Sequence, residues 1–124
     1  ALDDDDVNAQ LDIYAGHQYS YVQTGFQTLQ AKGKEAWMTE YLINWQADEN
    51  NTRNFSWEKD AFNFANKINA CMLTDLNAWI HYATKRFYGL MGDGSFGSME
   101  GVITKRGHIL SHFAKFVTGT TRIG

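Results

Sequence analysis

Proline is absent from this 124-residue chain, and cysteine occurs only once, as Cys71. A single cysteine excludes an intrachain disulfide and any cysteine-based metal cluster. No run approaches the ~20 consecutive apolar residues of a transmembrane helix. The chain also lacks the basic segment followed by an apolar one that marks a signal peptide. The sequence therefore predicts neither a disulfide scaffold nor a membrane partner.

The chain has no large excess of charge of either sign, since it contains 11 basic and 14 acidic residues and has a net charge of −3. Without a basic stripe, the chain offers no surface that would bind nucleic acid through counterion release. Hydrophobic residues make up 44% of the chain, including eight Phe, six Tyr and four Trp. That content excludes a disordered segment, and the length fits a single domain.

Short segments rich in β-branched and aromatic residues alternate with helical patterns. We expect strands over Leu11–Tyr19, Glu35–Ile43 and Asn77–Ala83. The second strand is almost continuously apolar, which is typical of a strand covered on both faces. Helices are expected over 25–31, from an N-cap at Ser56 onward, and over 104–117, with a polar loop over 44–56. This alternation predicts an α/β protein with a parallel sheet.

Two further features have a structural interpretation. The four aspartates of 3–6 would repel one another in a packed interior, so they indicate a solvated helix start or loop. Cys71 lies beside an apolar stripe of the long helix and is expected to be a small buried residue, not a nucleophile. The members of that stripe recur every three or four residues: Trp57, Ala61, Phe64, Ala65, Ile68 and Met72.

Two motifs suggest a bound cofactor or metal but lack the required surroundings. Gly92–Gly97 matches G-x-G-x-x-G, yet the next helix begins several residues later and no acidic residue follows at the spacing of a dinucleotide site. We interpret it as a flexible loop. His108 and His112 have a zinc-compatible spacing without an HExxH motif or an evident third ligand, which favours surface or capping histidines. No cofactor and no metal are expected.

Glu40 is the only acid near the carboxyl end of a predicted strand, where the functional groups of parallel sheets gather. Aromatic rings lie at or after matching strand ends, and a sugar ring stacks its C–H face on such rings. A carboxylate beside them can attack or stabilise an oxocarbenium-like centre. A salt-bridged glutamate and simple core packing of the rings remain alternatives. These aromatic residues are Tyr19, Tyr41, Trp45, Tyr82 and Tyr88.

At this point the chain resembles glycoside hydrolase family 30, especially its bacterial endo-xylanase (glucuronoxylanase) branch. The segment 37–41, Trp-Met-Thr-Glu-Tyr, looks like the nucleophile strand of that family, and Gly16–Tyr19 is similar to its sixth barrel strand. Lys85–Gly89 resembles the segment after strand eight. The segments 103–107 and 112–117 are similar to the last barrel helix. The resemblance covers the whole chain.

This resemblance implies that residues 1–124 hold strands six to eight of a (β/α)8 barrel, the C-terminal portion of a catalytic domain, with no second domain in the chain. Glu40 would be the retaining nucleophile, Tyr19 would hold it by its hydroxyl, and His17 would line the pocket. Arg86 and Tyr88 would bind the glucuronate carboxylate of substituted xylan, for which a forked guanidinium is suited.

Some positions depart from the family pattern. His81 and Tyr82 stand where the family has paired tryptophans, and Tyr82 keeps a smaller stacking face for the sugar. The family's acid/base motif, of Asn-Glu-Pro type, has no counterpart in the chain. Retaining hydrolysis needs two carboxylates about 5 Å apart. We therefore expect a barrel fragment that is inactive alone.

The resemblance further implies a xylan or glucuronoxylan substrate, a partner in the missing barrel half, and a secreted parent protein. Two alternatives remain open. One is a non-catalytic carbohydrate-binding remnant of the same barrel, which would keep the aromatic rings and Arg86 without chemistry. The other is an independent α/β protein with an unrelated role, although three strands with two open edges argue against it.

Overall fold

The computed structural model describes residues 3–19, 26–41 and 57–123. The chain forms two compact units, Ala1–Leu42 with Lys67–Tyr82 and Ile43–Asn66 with Ala83–Gly124. The elements follow one another as α1 (Asp5–Gln10), β1 (Ile13–His17), α2 (Phe26–Ala31), β2 (Glu35–Tyr41), α3 (Trp57–Leu73), β3 (Ala78–His81) and α4 (Lys105–Phe116). The predicted cap at Ser56 and the polar loop over 44–56 lie outside the described residues.

The first unit contains a parallel three-stranded sheet in the order β1-β2-β3. Ile13 lies opposite Glu35, and Trp37 lies opposite Ala78. The register shifts after Gly16, so that His17 pairs with Glu40. The predicted α/β alternation and parallel sheet are confirmed.

The first strand is shorter than expected because a helix precedes it. The Asp4 side chain caps α1 by accepting a hydrogen bond from the Val7 amide at 3.0 Å. Leu11, expected in the strand, ends this helix, and its amide donates to the Asn8 carbonyl. The aspartates are exposed, as expected for a solvated helix start.

The second strand differs from the expectation that both of its faces are covered. Ala36, Met38 and Tyr41 are buried, whereas Trp37, Thr39 and Glu40 are only half-buried. Side chains of a strand alternate between the two faces. The alternation of buried and half-buried residues is interrupted before Tyr41, where the register between β2 and β3 is irregular. The described part of the chain therefore buries one face of β2. The core of this unit also includes Leu29, Ile68, Cys71 and Leu76.

Hydrogen bonds define the connections that lead from α2 into β2 and from α3 into β3. Gly33 adopts a φ of +70°, a left-handed conformation that glycine tolerates, and the Lys34 amide then reaches the Leu29 carbonyl at 2.9 Å. This confirms the predicted end of α2. Asn77 accepts a hydrogen bond from the Ala36 amide through its side chain and donates its own amide to the Ala36 carbonyl, both at 2.9 Å. The side chain therefore extends the ladder just before β3.

Cys71 is fully buried, as predicted, and its thiol donates to the Gln18 side-chain oxygen at 3.0 Å. Burial raises the pKa of the thiol from 9.0 to about 11, because the thiolate would lose its hydration. The thiol is therefore protonated at neutral pH and serves as a small core donor.

In the second unit, α4 begins as the sequence predicts. Thr104 caps it by accepting a hydrogen bond from the Gly107 amide. Gly107 faces the backbone of Leu90, and a Cβ at this position would overlap the Leu90 carbonyl. Near the carboxyl end of α4, Phe116 is 65% exposed.

The second unit buries an ion pair together with the apolar rings of Phe64 and Phe87. Arg106 and Asp60 are both 0% exposed and form a bidentate ion pair, with Nε to Oδ2 at 2.8 Å and Nη2 to Oδ1 at 2.7 Å. The Arg106 guanidinium also lies over the Phe64 ring, 5.6 Å from its centroid. The pair joins the first turn of α3 to the first turn of α4.

Replacing Gly107 by alanine is expected to lower the free energy of unfolding by about 1–3 kcal/mol, because the added methyl group collides with backbone that cannot move aside. Urea denaturation followed by circular dichroism measures this change. Gly16→Ala is the matched control, since nothing lies within 4 Å of a Cβ at Gly16. Equal stability of Gly107→Ala and wild type would contradict the close approach of α4 to Leu90.

The raised pKa of Cys71 predicts a specific pH dependence of stability. The unfolded thiol ionises near 9.0 and the folded thiol only near about 11, so the contribution of Cys71 is complete below pH 9 and falls as the pH rises toward 11. The difference in free energy of unfolding between wild type and Cys71→Ala should therefore shrink over this range. A pH-independent difference would show that the thiol is not desolvated.

Candidate functional site

Glu40 lies at the carboxyl end of β2, the central strand of the parallel sheet. It is half-buried, and it pairs in register with His17 of β1. The Gln18 amide donates to the Glu40 carbonyl at 3.1 Å, which continues the β1–β2 ladder beyond the bulge. The backbone on both sides of this carboxylate is therefore fixed by strand pairing.

His17 and Tyr19 follow each other on the neighbouring strand end, and their rings contact edge to face with centroids 5.8 Å apart. Tyr19 is 54% exposed and His17 is also exposed. Among the described residues, the Tyr19 hydroxyl makes no hydrogen bond to Glu40. The structure thus brings His17 and Glu40 together in register and presents Tyr19 as an open aromatic face beside His17.

Gln18 lies between these two exposed rings but is itself 2% exposed. Its side-chain oxygen accepts hydrogen bonds from the Cys71 thiol at 3.0 Å and from the Trp79 indole at 3.5 Å. The side chain therefore links the end of β1 to α3 and β3. The sequence showed no signal for this, because a glutamine between two aromatic residues is usually solvated.

Tyr82 directly follows β3 and so lies at the carboxyl end of the third strand of the sheet. Its amide donates to the Tyr41 carbonyl at 2.9 Å, and its side chain is 48% exposed. The preceding His81 stacks on Trp79 with nearly parallel rings, 6.0 Å between centroids. His17, Tyr19, Glu40 and Tyr82 accordingly lie at the carboxyl edge of one sheet, as parallel pairing requires.

The other described acids of this unit lie away from that edge. Asp12 precedes β1, Glu35 begins β2 and Asp75 precedes β3, so each is at an amino end. Among the described residues of the unit, Glu40 is the carboxylate placed where the aromatic rings gather. Such an arrangement supplies one nucleophile or electrostatic stabiliser, and retaining glycoside hydrolysis needs a second carboxylate as acid/base.

Arg86 and Tyr88 belong to the second unit, in the loop that follows β3. Arg86 is exposed and Tyr88 half-buried. The loop is closed by backbone hydrogen bonds, from the Arg86 amide to the Met91 carbonyl at 3.1 Å and from the Gly89 amide to the Arg86 carbonyl at 2.9 Å. Tyr88 packs edge-on against Phe87 at 4.8 Å.

The glycine-rich segment 92–101 is a loop of turns, with a group of hydrogen bonds centred on Asp93. Asp93 accepts hydrogen bonds from the Ser95 amide at 3.0 Å, the Ser95 hydroxyl at 2.7 Å and the Ser98 hydroxyl at 3.3 Å. These bonds, that from the Ser95 side chain above all, hold the pKa of the Asp93 carboxyl below its usual value of 3.8. The segment shows none of the strand–helix geometry of a dinucleotide site.

His108 and His112 are both exposed on α4, and His112 stacks on Phe116 with centroids 6.4 Å apart. Within residues 3–19, 26–41 and 57–123, no group of three or more His, Cys, Asp or Glu side chains could hold a metal ion. No helix of these segments is both long and apolar enough to cross a membrane.

Asp60 and Arg106 were missed as a pair by reasoning from sequence. A signal for Asp60 exists, because it lies four residues before Phe64 and so falls on the apolar stripe of α3. A carboxylate on a buried stripe requires a cationic partner. The partner's identity depends on α3 meeting α4, which the sequence pattern alone does not specify.

The chain is 31% identical over 122 residues to the glucuronoxylanase XynC of Bacillus subtilis strain 168, a match that covers 94% of the chain and 26% of the relative. A second Bacillus subtilis glucuronoxylanase XynC matches equally, at 31% over 121 residues. The chain thus spans about a quarter of the length of the curated relatives that it matches. No family model matches the chain.

Solved structures with a similar fold include a glycoside hydrolase family 30 subfamily 8 xylanase from Clostridium acetobutylicum, with a TM-score of 0.72 and 22% identity over 95% of the chain and 27% of that protein. A family 30 endoxylanase from Clostridium papyrosolvens gives a TM-score of 0.63 at 25% identity, over 94% of the chain and 27% of that protein. The resemblance to glycoside hydrolase family 30 is therefore confirmed as a similarity to one portion of these enzymes.

The hydrogen bonds around Asp93 predict that the turn 92–98 depends on pH. Because the pKa of this carboxyl is lowered, its stabilising contribution is complete above the usual aspartate pKa and is lost as the pH falls through the lowered value. The Ser95 amide shift, followed by NMR, should report that titration with a midpoint below 3.8. Asp93→Asn should remove it, and a midpoint at or above 3.8 would contradict the network.

Proposed function

We propose that this chain is part of a retaining endo-β-1,4-xylanase that acts on glucuronoxylan, and that it supplies strands six to eight of a (β/α)8 barrel. The similarity to family 30 xylanases over 94% of the chain supports this proposal, together with the parallel sheet that ends in Glu40. In this reading β1, β2 and β3 are the sixth, seventh and eighth barrel strands. The position of Glu40 is the observation that carries the proposal.

Glu40 attacks the anomeric carbon as the glycosidic C–O bond breaks, and the acid/base carboxyl of the other barrel half protonates the leaving oxygen. Water, which gives a proton back to that acid/base carboxylate, then hydrolyses the glycosyl-enzyme and releases Glu40. Its half-buried position at the carboxyl edge leaves the carboxylate accessible while strand pairing fixes its backbone. His17 lines the same pocket from the adjacent strand. Tyr19 and Tyr82, both about half exposed, offer faces on which xylose rings stack. The Tyr19 hydroxyl holds the carboxylate of Glu40 in the complete active site.

Arg86 and Tyr88 bind the glucuronate side group of the polysaccharide. The exposed guanidinium of Arg86 can form two parallel hydrogen bonds to a carboxylate, and the closed loop 86–91 holds it in a defined position. Tyr88 contributes its hydroxyl or ring from the same loop. Recognition of a carboxylate by arginine accounts for a preference for decorated over plain xylan.

The acid/base carboxylate comes from the missing barrel half, which is the partner required for turnover. No metal or cofactor takes part, since two carboxylates suffice for retaining hydrolysis. The substrate polysaccharide lies outside the cell, and we place the parent enzyme there by its family resemblance.

The second candidate is a non-catalytic carbohydrate-binding remnant of the same barrel. One observation favours it: the carboxyl edge of the described sheet carries exposed aromatic rings and a single carboxylate. Such a chain would bind xylan through Tyr19, Tyr82 and Arg86 without cleaving it. The two candidates differ only in whether Glu40 does chemistry.

Mixing the chain with a separately produced barrel half that contains the acid/base strand tests the enzyme. We expect reducing sugar to be released from glucuronoxylan by the mixture and by neither part alone. Glu40→Gln should lower the recovered rate at least about a thousandfold, because the amide cannot form the glycosyl-enzyme. Glu35→Gln is the matched control, since Glu35 is an exposed acid at the other end of the same strand.

Binding of xylan without turnover in the mixture would favour the carbohydrate-binding remnant. Robust turnover by the chain alone would contradict the assignment of the acid/base residue to another segment. Equal loss in Glu40→Gln and Glu35→Gln would show that the effect is structural and not chemical.

Arg86→Ala should lower the affinity for a glucuronate-bearing xylo-oligosaccharide by about tenfold and leave the undecorated oligosaccharide unchanged, since one charge-assisted contact is lost. Isothermal titration calorimetry on both sugars measures this selectivity. Lys85→Ala is the matched control: it removes the adjacent cation, whose exposed pair with Glu100 at 2.9 Å contributes little. Equal weakening of both sugars would contradict the glucuronate role of Arg86.

A further inference from the structure

We infer that Arg106 is a positioning residue for the loop 86–89, and that it sets the selectivity for glucuronate-bearing xylan by holding the Tyr88 backbone. This inference rests on the proposed function for Arg86 and Tyr88. Arg106 itself touches no substrate in this scheme, because it is 0% exposed. Its effect on the sugar is transmitted through the loop.

The guanidinium of Arg106 donates hydrogen bonds to two partners, the Asp60 carboxylate and the Tyr88 carbonyl. Its Nε and Nη2 donate to the two carboxylate oxygens of Asp60 at 2.8 and 2.7 Å. Its Nη1 donates to the Tyr88 carbonyl at 2.5 Å. The planar fork of arginine allows this arrangement, whereas the single ammonium of lysine cannot span both partners in the same geometry.

The Asp60 contact fixes the guanidinium so that Nη1 is aimed at the loop. A buried carboxylate–guanidinium pair contributes little net stability compared with apolar residues of the same size, because both groups lose their hydration. A specific geometry is the better-supported use of such a pair, and here that geometry delivers one donor to the backbone of Tyr88. Removing one partner alone would leave a buried charge and destabilise the fold.

Thr104, the cap of α4, forms further hydrogen bonds to the residues that follow Tyr88. The Thr104 hydroxyl donates to the Gly89 carbonyl at 2.6 Å, and the Thr104 amide donates to the Leu90 carbonyl at 3.0 Å. Gly89 also has no space for a Cβ, which would overlap the carbonyls of Ala83 and Thr84. The carbonyls of residues 88, 89 and 90 are thus all bonded to the start of α4.

The anchored carbonyls lie at or close after the two residues assigned to the glucuronate. Arg86 precedes the first anchored carbonyl by two residues, and Tyr88 carries it. An arginine that must meet a carboxylate with two hydrogen bonds tolerates little error in position. Loss of the Arg106 donor should therefore weaken the glucuronate contact while leaving the sheet edge with Glu40, Tyr19 and Tyr82 unaffected.

The test uses the double variant Asp60→Leu/Arg106→Met, which replaces the pair by apolar residues and so removes the donor without leaving a buried charge. The exchange rates of three loop amides are measured by NMR, those of Arg86, Gly89 and Met91, each of which is hydrogen-bonded in the structure. The affinities of the chain for glucuronate-bearing and undecorated xylo-oligosaccharides are measured in parallel. Lys105→Met is the matched control, since it removes an exposed charge from the adjacent position of α4.

We expect the three amides to exchange about tenfold faster or more in the double variant, and the ratio of affinities for decorated and undecorated sugar to fall at least about fivefold. In Arg106→Lys, the amide exchange rates and the affinity ratio should not fully match those of the wild type. In Lys105→Met, both should equal the wild-type values. Unchanged exchange rates would overturn the inference, and so would faster exchange with an unchanged affinity ratio.

A wild-type chain that binds neither sugar would instead contradict the proposed function. In that case the exchange rates still decide whether Arg106 holds the loop. If the double variant fails to fold, Thr104→Val in combination with Arg106→Lys supplies the same two measurements with the charge retained. The failure of the inference and the failure of the proposed function are thus separate outcomes.

Discussion

Parallel pairing of β2 with both of its neighbours is the constraint on which the candidate site depends. Parallel strands bring their carboxyl ends to one edge, so residues more than twenty positions apart in sequence, such as His17 and Glu40, become neighbours. The bulge after Gly16 adjusts the register so that these two residues pair. An antiparallel arrangement of the same strands would place Glu40 beside a strand start.

The second unit has a buried ion pair beside the buried rings of Phe64 and Phe87. Asp60 and Arg106 connect the first turns of α3 and α4, and the guanidinium extends to the backbone of Tyr88. The described core of the first unit includes Met38, Ile68 and Cys71, whereas the second unit adds the directional contacts of this pair to its buried rings. Directional contacts suit a loop whose position matters, because they specify geometry more than they add stability.

Reasoning from sequence recovered the elements well where the pattern is local. The stop at Gly33, the last helix near 104–117 and the burial of Cys71 follow from residue type and spacing, and the structure confirms each of them. Sequence patterns were less informative where a helix and a strand adjoin, or where the structure depends on contacts between side chains. Leu11 ends a helix instead of starting a strand, because α1, which Asp4 caps at its start, extends to Gln10. The hydrogen bonds from the Ser95 and Ser98 hydroxyls to Asp93 were also missed, because the glycine-rich composition of this loop gives no signal for them.

The sequence by itself determined the alternation of strands and helices, the location of Glu40 at a strand end and the resemblance to family 30 xylanases, because these depend on residues close together in the chain. Only the tertiary structure decided that Gln18 is buried against Cys71 and Trp79, that one face of β2 stays half-open, and that Asp60 pairs with Arg106. Each of these depends on which segments meet in space. Hydrophobic periodicity indicates that a face is buried, but not which partner a polar group on that face will find.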